Sequence, residues 1–432
     1  MNLPRSVVVL GGGLAAAKAV SGLRSGGFDG AITVVGEETT APYERPPLSK
    51  GYLMGSDTRD GVLALPRDWY AEHDVELRLG TRATAIDHVN GAVLTSRGTL
   101  GFDALILATG SSPRHLPAAP PGGSVGYLRT IEDSDRLRVQ LQPGRRIVLI
   151  GGGWIGLEVA AAARTAGCDV IVLEAGRLPL ERALGAEVAT VFAELHTAHG
   201  VDLRTGASVT GVDQEGGRAL VRLADGTSVA ADFVLVGVGV RPNTALAEEA
   251  GLHVEDGIVV DEWLRTSHPG VFAAGDVARA YHPRLGRHVR VEHWDNAVTQ
   301  GRAVARSILG EGTPVNRLPT FFTDQYDVGI EYVGDPGPEG YDDLVLRCDV
   351  GARVFTAFWL RRGRVVAGMH MSDWDATKEI RRVVTAGEVD LRALRDARVP
   401  LTDIAAVPRQ DATSRDSGGR HARSVVARTP AR

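Results

Sequence analysis

The sequence predicts an α/β fold with two Rossmann-like nucleotide-binding domains and a C-terminal α+β domain. Most of that prediction comes from two glycine fingerprints of the same kind. They are Gly11-x-Gly13-x-x-Ala16 and Gly151-x-Gly153-x-x-Gly156. Each follows a short apolar run and opens an alanine-rich stretch with helical character, which is the order of a β-α-β unit. From about residue 320 onward the sequence changes to short runs typical of hairpins. The repeated fingerprint predicts that one chain binds two nucleotides.

The two units are predicted to share one order of elements: strand, glycine turn, helix and strand. These elements occupy residues 7–10, 11–13, 14–24 and 31–35, and again 147–150, 151–153, 154–166 and 170–173. Glu37 and Glu174 lie 24 and 21 residues beyond the middle glycines. At this spacing an acid can accept hydrogen bonds from the ribose diol of a nucleotide. Glu174 disfavours a 2′-phosphate, so we expect NADH at the second unit. Because Arg177 lies three residues further on, NADPH stays the second choice.

Further strands are predicted at residues 105–107 and 233–236, each closing one nucleotide-binding lobe. They lead into the segments Ala108-Thr109-Gly110 and Gly237-Val238-Gly239. Another strand, near residues 270–274, enters a turn at Gly275, and we expect Asp276 to stand at the start of a helix. The later elements are a helix over 296–309, hairpin-like runs over 344–348, 353–360 and 364–369, and a helix near 375–386.

The composition indicates a soluble chain of two or three domains. It has 432 residues, of which 44% are hydrophobic, and a formal net charge of −5. This acidic balance argues against general nucleic-acid binding, and no apolar run reaches the ~18 residues of a membrane span. Cys168 and Cys348 form no C-x-x-C pair, so we expect neither a disulfide framework nor a cysteine-rich metal site. These features are typical of a protein in a reducing cytoplasm.

Lysine is nearly absent from the chain. Of the 48 lysines and arginines, only Lys18, Lys50 and Lys378 are lysines. Arginine serves almost everywhere that a bare positive charge suffices, so each remaining lysine is a candidate for a site that needs a compact ammonium group.

Six segments together resemble the FAD-dependent pyridine-nucleotide-disulfide oxidoreductase superfamily. They are Gly11 to Ala16, Arg45 to Lys50, Ala108 to Gly110, Gly151 to Glu158, Gly275 to Ala278 and Trp294 to Ala297. Over residues 5–405 the chain most resembles the ferredoxin reductase group, which includes putidaredoxin reductases and the reductase components of dioxygenases. The resemblance implies FAD at the first glycine fingerprint and NADH at the second.

The resemblance also implies an FAD-binding domain that is split by an inserted NAD-binding domain. We expect the FAD-binding domain at residues 1–118 and 245–320, the NAD-binding domain at 119–244, and a C-terminal α+β domain at 321–408. Residues 409–432 carry six arginines and two aspartates with little periodicity. We expect this tail to be disordered.

Residue by residue, the resemblance implies that Lys50 lies near flavin N5 and pairs with Glu158. A compact ammonium group there would steady the negative charge of a flavin that has accepted a hydride. Asp276 would hydrogen-bond the ribityl chain of FAD. The other positions that the resemblance places along FAD, the diphosphates or the nicotinamide pocket are Arg45, Thr109, Gly110, Arg129, Gly239, Gly275, Glu292, Trp294 and Phe322.

Two segments depart from the pattern of the resembled group. His293 stands where a serine is expected, and we interpret it as a structural residue, since hydride transfer from NADH needs no protein acid or base. Thr320 and Phe322 stand where the group typically has tryptophans. The ring of Phe322 either covers the nicotinamide face or is an ordinary core side chain.

The disulfide reductases and peroxidases of the resembled superfamily need cysteines in the first domain that this chain lacks. Residues 41–44 read Ala-Pro-Tyr-Glu. Without a thiol relay beside the flavin, electrons must leave by another route. We therefore predict an NADH:ferredoxin or rubredoxin-type reductase, in which a small iron-sulfur protein takes single electrons from the reduced flavin. That partner would serve a cytochrome P450 or an oxygenase, and the reductase would be a monomer or a homodimer.

Two other functions stay open from the sequence. One is an NADH-responsive redox interaction protein that resembles apoptosis-inducing factor, which the departures at His293 and at residues 320–323 keep in view. The other is an NADH oxidase or disulfide reductase, which the missing cysteine disfavours.

Overall fold

The first segment of the chain builds a parallel sheet and a small antiparallel one. The computed structural model describes residues 3–406, so the predicted disordered tail at 409–432 lies outside the described residues. The strands are β1 Ser6–Leu10, β2 Ala31–Val35, β3 Val75–Arg78, β4 Ala83–Asp87, β5 Ala92–Thr95, β6 Gly98–Gly101, β7 Ala104–Leu107 and β8 Ser111–Pro113. The helices are α1 Leu14–Ser25, α2 Gly51–Met54 and α3 Trp69–Glu72, and a 3₁₀ turn spans Pro46–Ser49.

The second segment repeats this plan. Its strands are β9 Val125–Tyr127, β10 Arg146–Ile150, β11 Asp169–Glu174, β12 Asp202–Thr205, β13 Val209–Glu215, β14 Arg218–Leu223, β15 Ser228–Ala231, β16 Phe233–Val236 and β17 Val240–Pro242. Its helices are α4 Ile131–Gln140, α5 Trp154–Thr165 and α6 Glu181–Ala198. The strand order β12-β11-β10-β16-β9 forms one parallel sheet.

The third segment returns to the first sheet. Its elements are α7 Ala245–Glu249, β18 Ile258–Val260, β19 Val271–Ala273, β20 Ala278–His282, β21 Arg287–Arg290 and α8 Trp294–Ile308. Strand β19 pairs in parallel with β7, which gives the order β19-β7-β1-β2-β3. The first and third segments therefore share a sheet and a hydrophobic core, and β8 pairs with β17 where the chain leaves and re-enters this lobe.

The C-terminal segment forms an antiparallel sheet with the order β22-β23-β26-β25-β24. Its elements are β22 Thr320–Gln325, β23 Val328–Gly334, β24 Asp343–Asp349, β25 Val354–Arg361, β26 Arg364–Met371, α9 Thr377–Ala386 and α10 Leu391–Arg395, with 3₁₀ turns at Trp374–Ala376 and Leu401–Asp403. One face packs Tyr332 and Trp359 against α6, and the other packs Phe358 against Ile380 of α9. Two parallel sheets and an antiparallel C-terminal sheet confirm the predicted fold class.

One local prediction is wrong. Asp276 does not begin a helix, because strand β20 follows it after a short turn. Ala278, Ala280 and His282 are buried while the residues between them are partly exposed. This alternation lets β20 pair with β18 on one side and with β21 on the other, and it outweighs the local helix signal. Within residues 3–406, no helix is long and apolar enough to cross a bilayer.

Helices α1 and α8 approach closely because glycines lie at their contact. A Cβ atom added at Gly301 would lie 2.5 Å from the carbonyl oxygen of Ala15. We expect Gly301→Val to lower the apparent melting temperature by about 5 °C, or roughly 2 kcal/mol, because the helices must separate. Differential scanning fluorimetry measures the shift. Arg306→Ala, on the exposed side of α8, is the control, and equal melting of the two variants would contradict the packing argument.

Candidate functional site

The first glycine of each fingerprint is fixed by close packing. Gly11 has φ +121°, and an added Cβ would lie 2.0 Å from the carbonyl oxygen of Ala108. Gly151 has φ +107°, and an added Cβ would lie 2.5 Å from the carbonyl oxygen of Gly237. Both turns therefore need glycine at the first position to pass beneath the segment that follows the closing strand.

The middle glycines lie in open space at helix N-termini. Among the described residues, a Cβ added at Gly13 would meet no atom within 4 Å, and one added at Gly153 would meet only the Gly237 carbonyl oxygen, at 4.0 Å. Within the same residues, neither α1 nor α5 has a side-chain cap. Free N–H groups and open space together fit the diphosphate of a bound dinucleotide.

The third fingerprint positions pack helix against turn. Ala16 is fully buried, and a Cβ added at Gly156 would lie 2.2 Å from the carbonyl oxygen of Gly151. These positions set the distance between each helix and its strand, so they shape the turn and leave ligand contact to the middle glycines.

The two predicted ribose-binding acids lie in different environments. Glu174 accepts hydrogen bonds from the backbone N–H groups of Gly152, at 2.7 Å, and Gly176, at 2.6 Å, which hold its carboxylate over the second glycine turn. Glu37 is exposed and pairs with Arg82. Arg177 pairs with Glu181, which directs its guanidinium toward α6.

Lys50 and Glu158 form an ion pair where three parts of the fold meet. The Lys50 Nζ to Glu158 Oε1 distance is 2.6 Å. The hydroxyls of Ser49 and Thr323 each donate to the same carboxylate at 2.5 Å. Lys50 comes from the first segment, Glu158 from α5 and Thr323 from β22. The Lys50 ammonium also lies 5.5 Å from the ring centroid of Phe322, within the range of a cation–π contact.

Arg45 belongs to a second polar group. Its guanidinium donates to Glu38 at 2.8 Å and to the Tyr43 hydroxyl at 3.1 Å, and it also reaches the backbone carbonyl of Arg129 at 2.5 Å. Burial raises the pKa of Tyr43, so this hydroxyl stays protonated and donates to Glu38.

Asp276 is held by two donors. The Ser111 hydroxyl lies 2.9 Å from its carboxylate, and an Arg129 nitrogen lies 3.1 Å from the same oxygen. Gly110 has φ +65°, and an added Cβ there would lie 3.2 Å from the Arg129 guanidinium. Gly275 has φ +83° and donates its N–H to Gln300 at 2.8 Å. The two predicted residues Asp276 and Arg129 are thus brought together.

Thr109 and Gly239 lie where the chain passes between the lobes. The Thr109 hydroxyl donates to the Asn243 carbonyl at 2.8 Å, and the Asn243 amide returns a bond to the Thr109 carbonyl at 2.8 Å. Gly239 has φ +98°, and its carbonyl accepts from the Arg114 N–H at 2.9 Å. The Thr109 hydroxyl is therefore engaged within the protein, and only the backbone of this segment is left for a diphosphate.

The residues before and in β22 form an aromatic cluster. Trp294 and Phe322 stand edge to face with ring centroids 6.4 Å apart. His293 stacks on Phe321 at 4.8 Å, and desolvation lowers the pKa of His293 to about 4. A neutral, stacked imidazole fits the interpretation of His293 as structural. The exposed Glu292 side chain pairs with Arg290, so it stands apart from this cluster.

Several buried donors have no protein partner. Within residues 3–406, Arg129 Nε, Arg290 Nε and Trp294 Nε1 make no hydrogen bond. The guanidinium groups of Arg129 and Arg290 both reach Asp276, at its carboxylate and its carbonyl. Unpaired buried donors are costly unless a ligand or water accepts from them. Together with the open turn at Gly13, they fit a large ligand rich in acceptors, as FAD is.

The sequence reasoning missed several partners of the predicted residues. Ser49 and Thr323 hold Glu158, Ser111 holds Asp276, and Glu38 holds Arg45. Ser49 is adjacent to Lys50 in sequence, and Glu38 is adjacent to Glu37, so proximity to a motif was an available signal for both. Ser111 follows Gly110 and Thr323 follows Phe322, so the same signal was available for them, but it did not indicate which distant residue each one bonds.

Comparison with known proteins places the chain in a family. The profile of the pyridine nucleotide-disulphide oxidoreductases matches residues 5–301, and a reductase C-terminal profile matches residues 320–405. The chain belongs to this oxidoreductase family. The predicted superfamily is confirmed, and so is the fold class.

Individual relatives are similar over nearly their whole length. Putidaredoxin reductase from Pseudomonas putida is 38% identical over 425 residues, which cover 96% of this chain and 100% of that protein. The ferredoxin–NAD(+) reductase component of the anthranilate 1,2-dioxygenase system from Burkholderia cepacia is 38% identical over 398 residues, which cover 91% and 98%. The crystal structure of the covalent putidaredoxin reductase–putidaredoxin complex superposes with a TM-score of 0.89 at 38% identity, covering 93% of this chain and 98% of that chain.

The open middle glycines give a paired test. We expect Gly13→Ala to lower the FAD content of the purified protein, and Gly153→Ala to raise the KM for NADH roughly tenfold, because each new methyl group occupies space left for a diphosphate. Melting of the protein stripped of FAD should hardly change, since neither added Cβ comes closer than 4.0 Å to another part of the described chain. Absorbance spectra and steady-state kinetics measure the two effects. If Gly153→Ala changed FAD content and left the KM alone, the assignment of the two turns would be wrong.

Two histidines of lowered pKa make stability depend on pH. Desolvation lowers the pKa of His196 and of His293 to about 4. The unfolded chain binds protons at these positions below about pH 6.5, whereas the folded protein does not. The contribution of each neutral histidine to the free energy of unfolding is therefore fully present above pH 6.5. It is lost as the pH falls toward 4, by about 1.4 kcal/mol per pH unit for each histidine.

Urea unfolding of the holoprotein between pH 4.5 and 7 measures this dependence. His293→Phe should lower the slope of the free energy of unfolding against pH by the contribution of one histidine, because phenylalanine keeps the stacking on Phe321 and takes up no proton. His253→Gln, at an exposed site, should leave the slope unchanged. An equal slope in wild type and in His293→Phe would count against a neutral His293.

Proposed function

We propose that the protein is an FAD-dependent NADH:ferredoxin reductase. The observation that carries the proposal is the ion pair between Lys50 and Glu158, which lies where both nucleotide-binding lobes meet β22. When bound, FAD supplies the redox chemistry, since it takes a hydride from NADH and releases electrons one at a time. Lys50 provides a positive charge that Glu158 orients, and Phe322 and Trp294 provide an apolar surface beside it.

The positions of the cysteines support an exit of electrons that uses no protein thiol. Cys168 immediately precedes β11, at the edge of its sheet opposite to the glycine turns, and it is fully buried. Cys348 lies on β24, the edge strand of the C-terminal sheet. Neither is placed to relay electrons from the first lobe, so a disulfide reductase is disfavoured.

The relatives favour an iron-sulfur protein as the acceptor. The names of two relatives, putidaredoxin reductase and the ferredoxin–NAD(+) reductase component of the anthranilate dioxygenase system, refer to putidaredoxin and to a ferredoxin. We propose the same class of partner here, with a cytochrome P450 or a ring-hydroxylating oxygenase as the final consumer and the cytoplasm as the compartment. The same names do not favour the alternative of an interaction protein like apoptosis-inducing factor.

Stopped-flow spectroscopy tests this function directly. NADH should bleach the flavin absorbance rapidly and NADPH more slowly, because the Glu174 carboxylate, held over the second glycine turn, should disfavour a 2′-phosphate. The reduced enzyme should then reduce at least one member of a panel of small iron-sulfur proteins. Slow reduction by NADH with no transfer to any member of the panel would favour the interaction protein instead.

Lys50→Met should slow flavin reduction by NADH about tenfold or more. The change removes the ammonium group and keeps most of the side-chain volume, so it takes away charge stabilisation worth roughly 1.4 kcal/mol or more. The limiting rate at saturating NADH is the quantity to compare. Lys378→Met, at an exposed position in α9, serves as the control, and its flavin should be reduced at the wild-type rate. An unchanged rate in Lys50→Met would show that the ammonium group does not assist.

A further inference from the structure

A chain of buried hydrogen bonds runs from Glu158 to a histidine that the proposed chemistry does not use. Thr323 donates to Glu158 at 2.5 Å, the Gln325 amide nitrogen lies 3.3 Å from the Thr323 hydroxyl, and the Gln325 amide oxygen lies 2.8 Å from Nε2 of His196. The Tyr326 hydroxyl lies 3.3 Å from Nδ1 of the same ring. His196 and Gln325 are exposed by 0% and 1%, and Thr323 by 2%, so water does not compete for these bonds.

The direction of every bond in this chain follows from its end at Glu158. The Glu158 carboxylate only accepts, so the Thr323 hydroxyl must donate its one hydrogen to it. Thr323 can then only accept from Gln325, which must present its NH₂ group to Thr323 and its oxygen to His196. His196 must donate from Nε2, which leaves Nδ1 to accept from the Tyr326 hydroxyl.

We propose that His196 is a positioning residue for the Lys50–Glu158 pair. Through Gln325 and Thr323 it presents a series of donors to the carboxylate, and these bonds fix the carboxylate against the ammonium group. Bonds that all point one way polarise one another, so the last donor is strengthened by those behind it. This inference rests on the proposed function, because the pair matters only if a flavin is reduced beside it.

The series of hydrogen bonds from His196 to Glu158 also connects the second lobe to the C-terminal sheet. His196 lies in the last turn of α6, Gln325 and Thr323 belong to β22, and Glu158 lies on α5. The second lobe is thus held to β22 at two points, one on each helix. The titratable and charged groups around His196 are His199 on its own helix, Tyr326 on the facing turn and Arg164 beside Tyr326. A neutral His196 is compatible with the nearby Arg164 guanidinium, and desolvation lowers the pKa of His196 to about 4.

A set of variants on α6 separates hydrogen bonding from packing. His196→Phe keeps a ring but removes both bonds, and we expect the limiting rate of flavin reduction by NADH to fall about fivefold at pH 7. The KM for NADH should stay within twofold. Thr323 and Ser49 still donate to Glu158 in this variant, but Thr323 is no longer polarised through Gln325, so the acid limb of the rate profile should move to higher pH.

His196→Gln is the rescue variant, because a glutamine can donate to Gln325 and accept from Tyr326. It should restore both the rate and the acid limb. His199→Gln is the matched control on the same helix; this histidine stacks on Tyr326 at 3.6 Å but stands outside the chain, and the rate should not change. Equal loss in His196→Phe and His196→Gln, or wild-type behaviour in His196→Phe, would overturn the proposal.

A measurement on the wild-type holoenzyme covers the case in which His196→Phe does not fold. Nitrogen-15 NMR of histidine-labelled protein, assigned by the signal lost in His196→Gln, should show His196 with hydrogen on Nε2 and none on Nδ1 between pH 5.5 and 8. Hydrogen on Nδ1, or a titration near pH 6.5, would overturn the direction of the chain. Failure of NADH to reduce the wild-type flavin would instead overturn the proposed function, so the two failures are distinguishable.

Discussion

The ion pair between Lys50 and Glu158 depends on the docking of all three parts of the fold. Glu158 is only 6% exposed, and a buried carboxylate is unfavourable unless its oxygens are paired and hydrogen-bonded. The ammonium group and the Ser49 hydroxyl come from the first lobe, the carboxylate from the second, and the Thr323 hydroxyl from the C-terminal sheet. Separating the two nucleotide-binding lobes would break the ion pair, and separating the C-terminal sheet would remove the Thr323 hydroxyl from the carboxylate, so the pair and the arrangement of the lobes stabilise each other.

The C-terminal sheet reaches this pair because it packs on a break in α6. Gly185 has φ +78° within that helix, and an added Cβ would clash with the Tyr341 hydroxyl at 1.8 Å. At the break, the Leu184 carbonyl accepts a hydrogen bond at 3.0 Å from the indole of Trp359, whose ring packs on Tyr332. The sheet is therefore fixed to the second lobe by a buried, directional contact. That contact sets the position of β22, and with it the distance from Thr323 to Glu158.

The sequence predicted what depends on local pattern and missed what depends on distant contacts. Both β-α-β units could be predicted because glycine spacing and helical periodicity are short-range signals, and β1, α1, β10 and α5 lie within a few residues of their expected positions. The Lys50–Glu158 pairing came from family resemblance. Thr323 lies 165 residues from Glu158, so no local pattern could reveal it. The helix expected at Asp276 is a strand because β20 gains partners from both β18 and β21, which a single segment does not show.

The scarcity of lysine gives Lys50 its physical meaning. Elsewhere arginine does what lysine cannot: the guanidinium of Arg24 bonds the carbonyls of Phe28, Gly30 and His73, at 2.6 to 2.8 Å, and so fastens the end of α1 to its neighbours. A planar fork suits that task because it spreads donors over several acceptors. At position 50 the guanidinium group of an arginine would spread its charge over three nitrogens and occupy more volume beside Phe322. A compact ammonium group instead concentrates its charge at one point, 2.6 Å from Glu158 Oε1 and 5.5 Å from the centroid of the Phe322 ring. A lysine at this position, in a chain that has only two others, agrees with the proposed role of Lys50 beside a localised, developing negative charge.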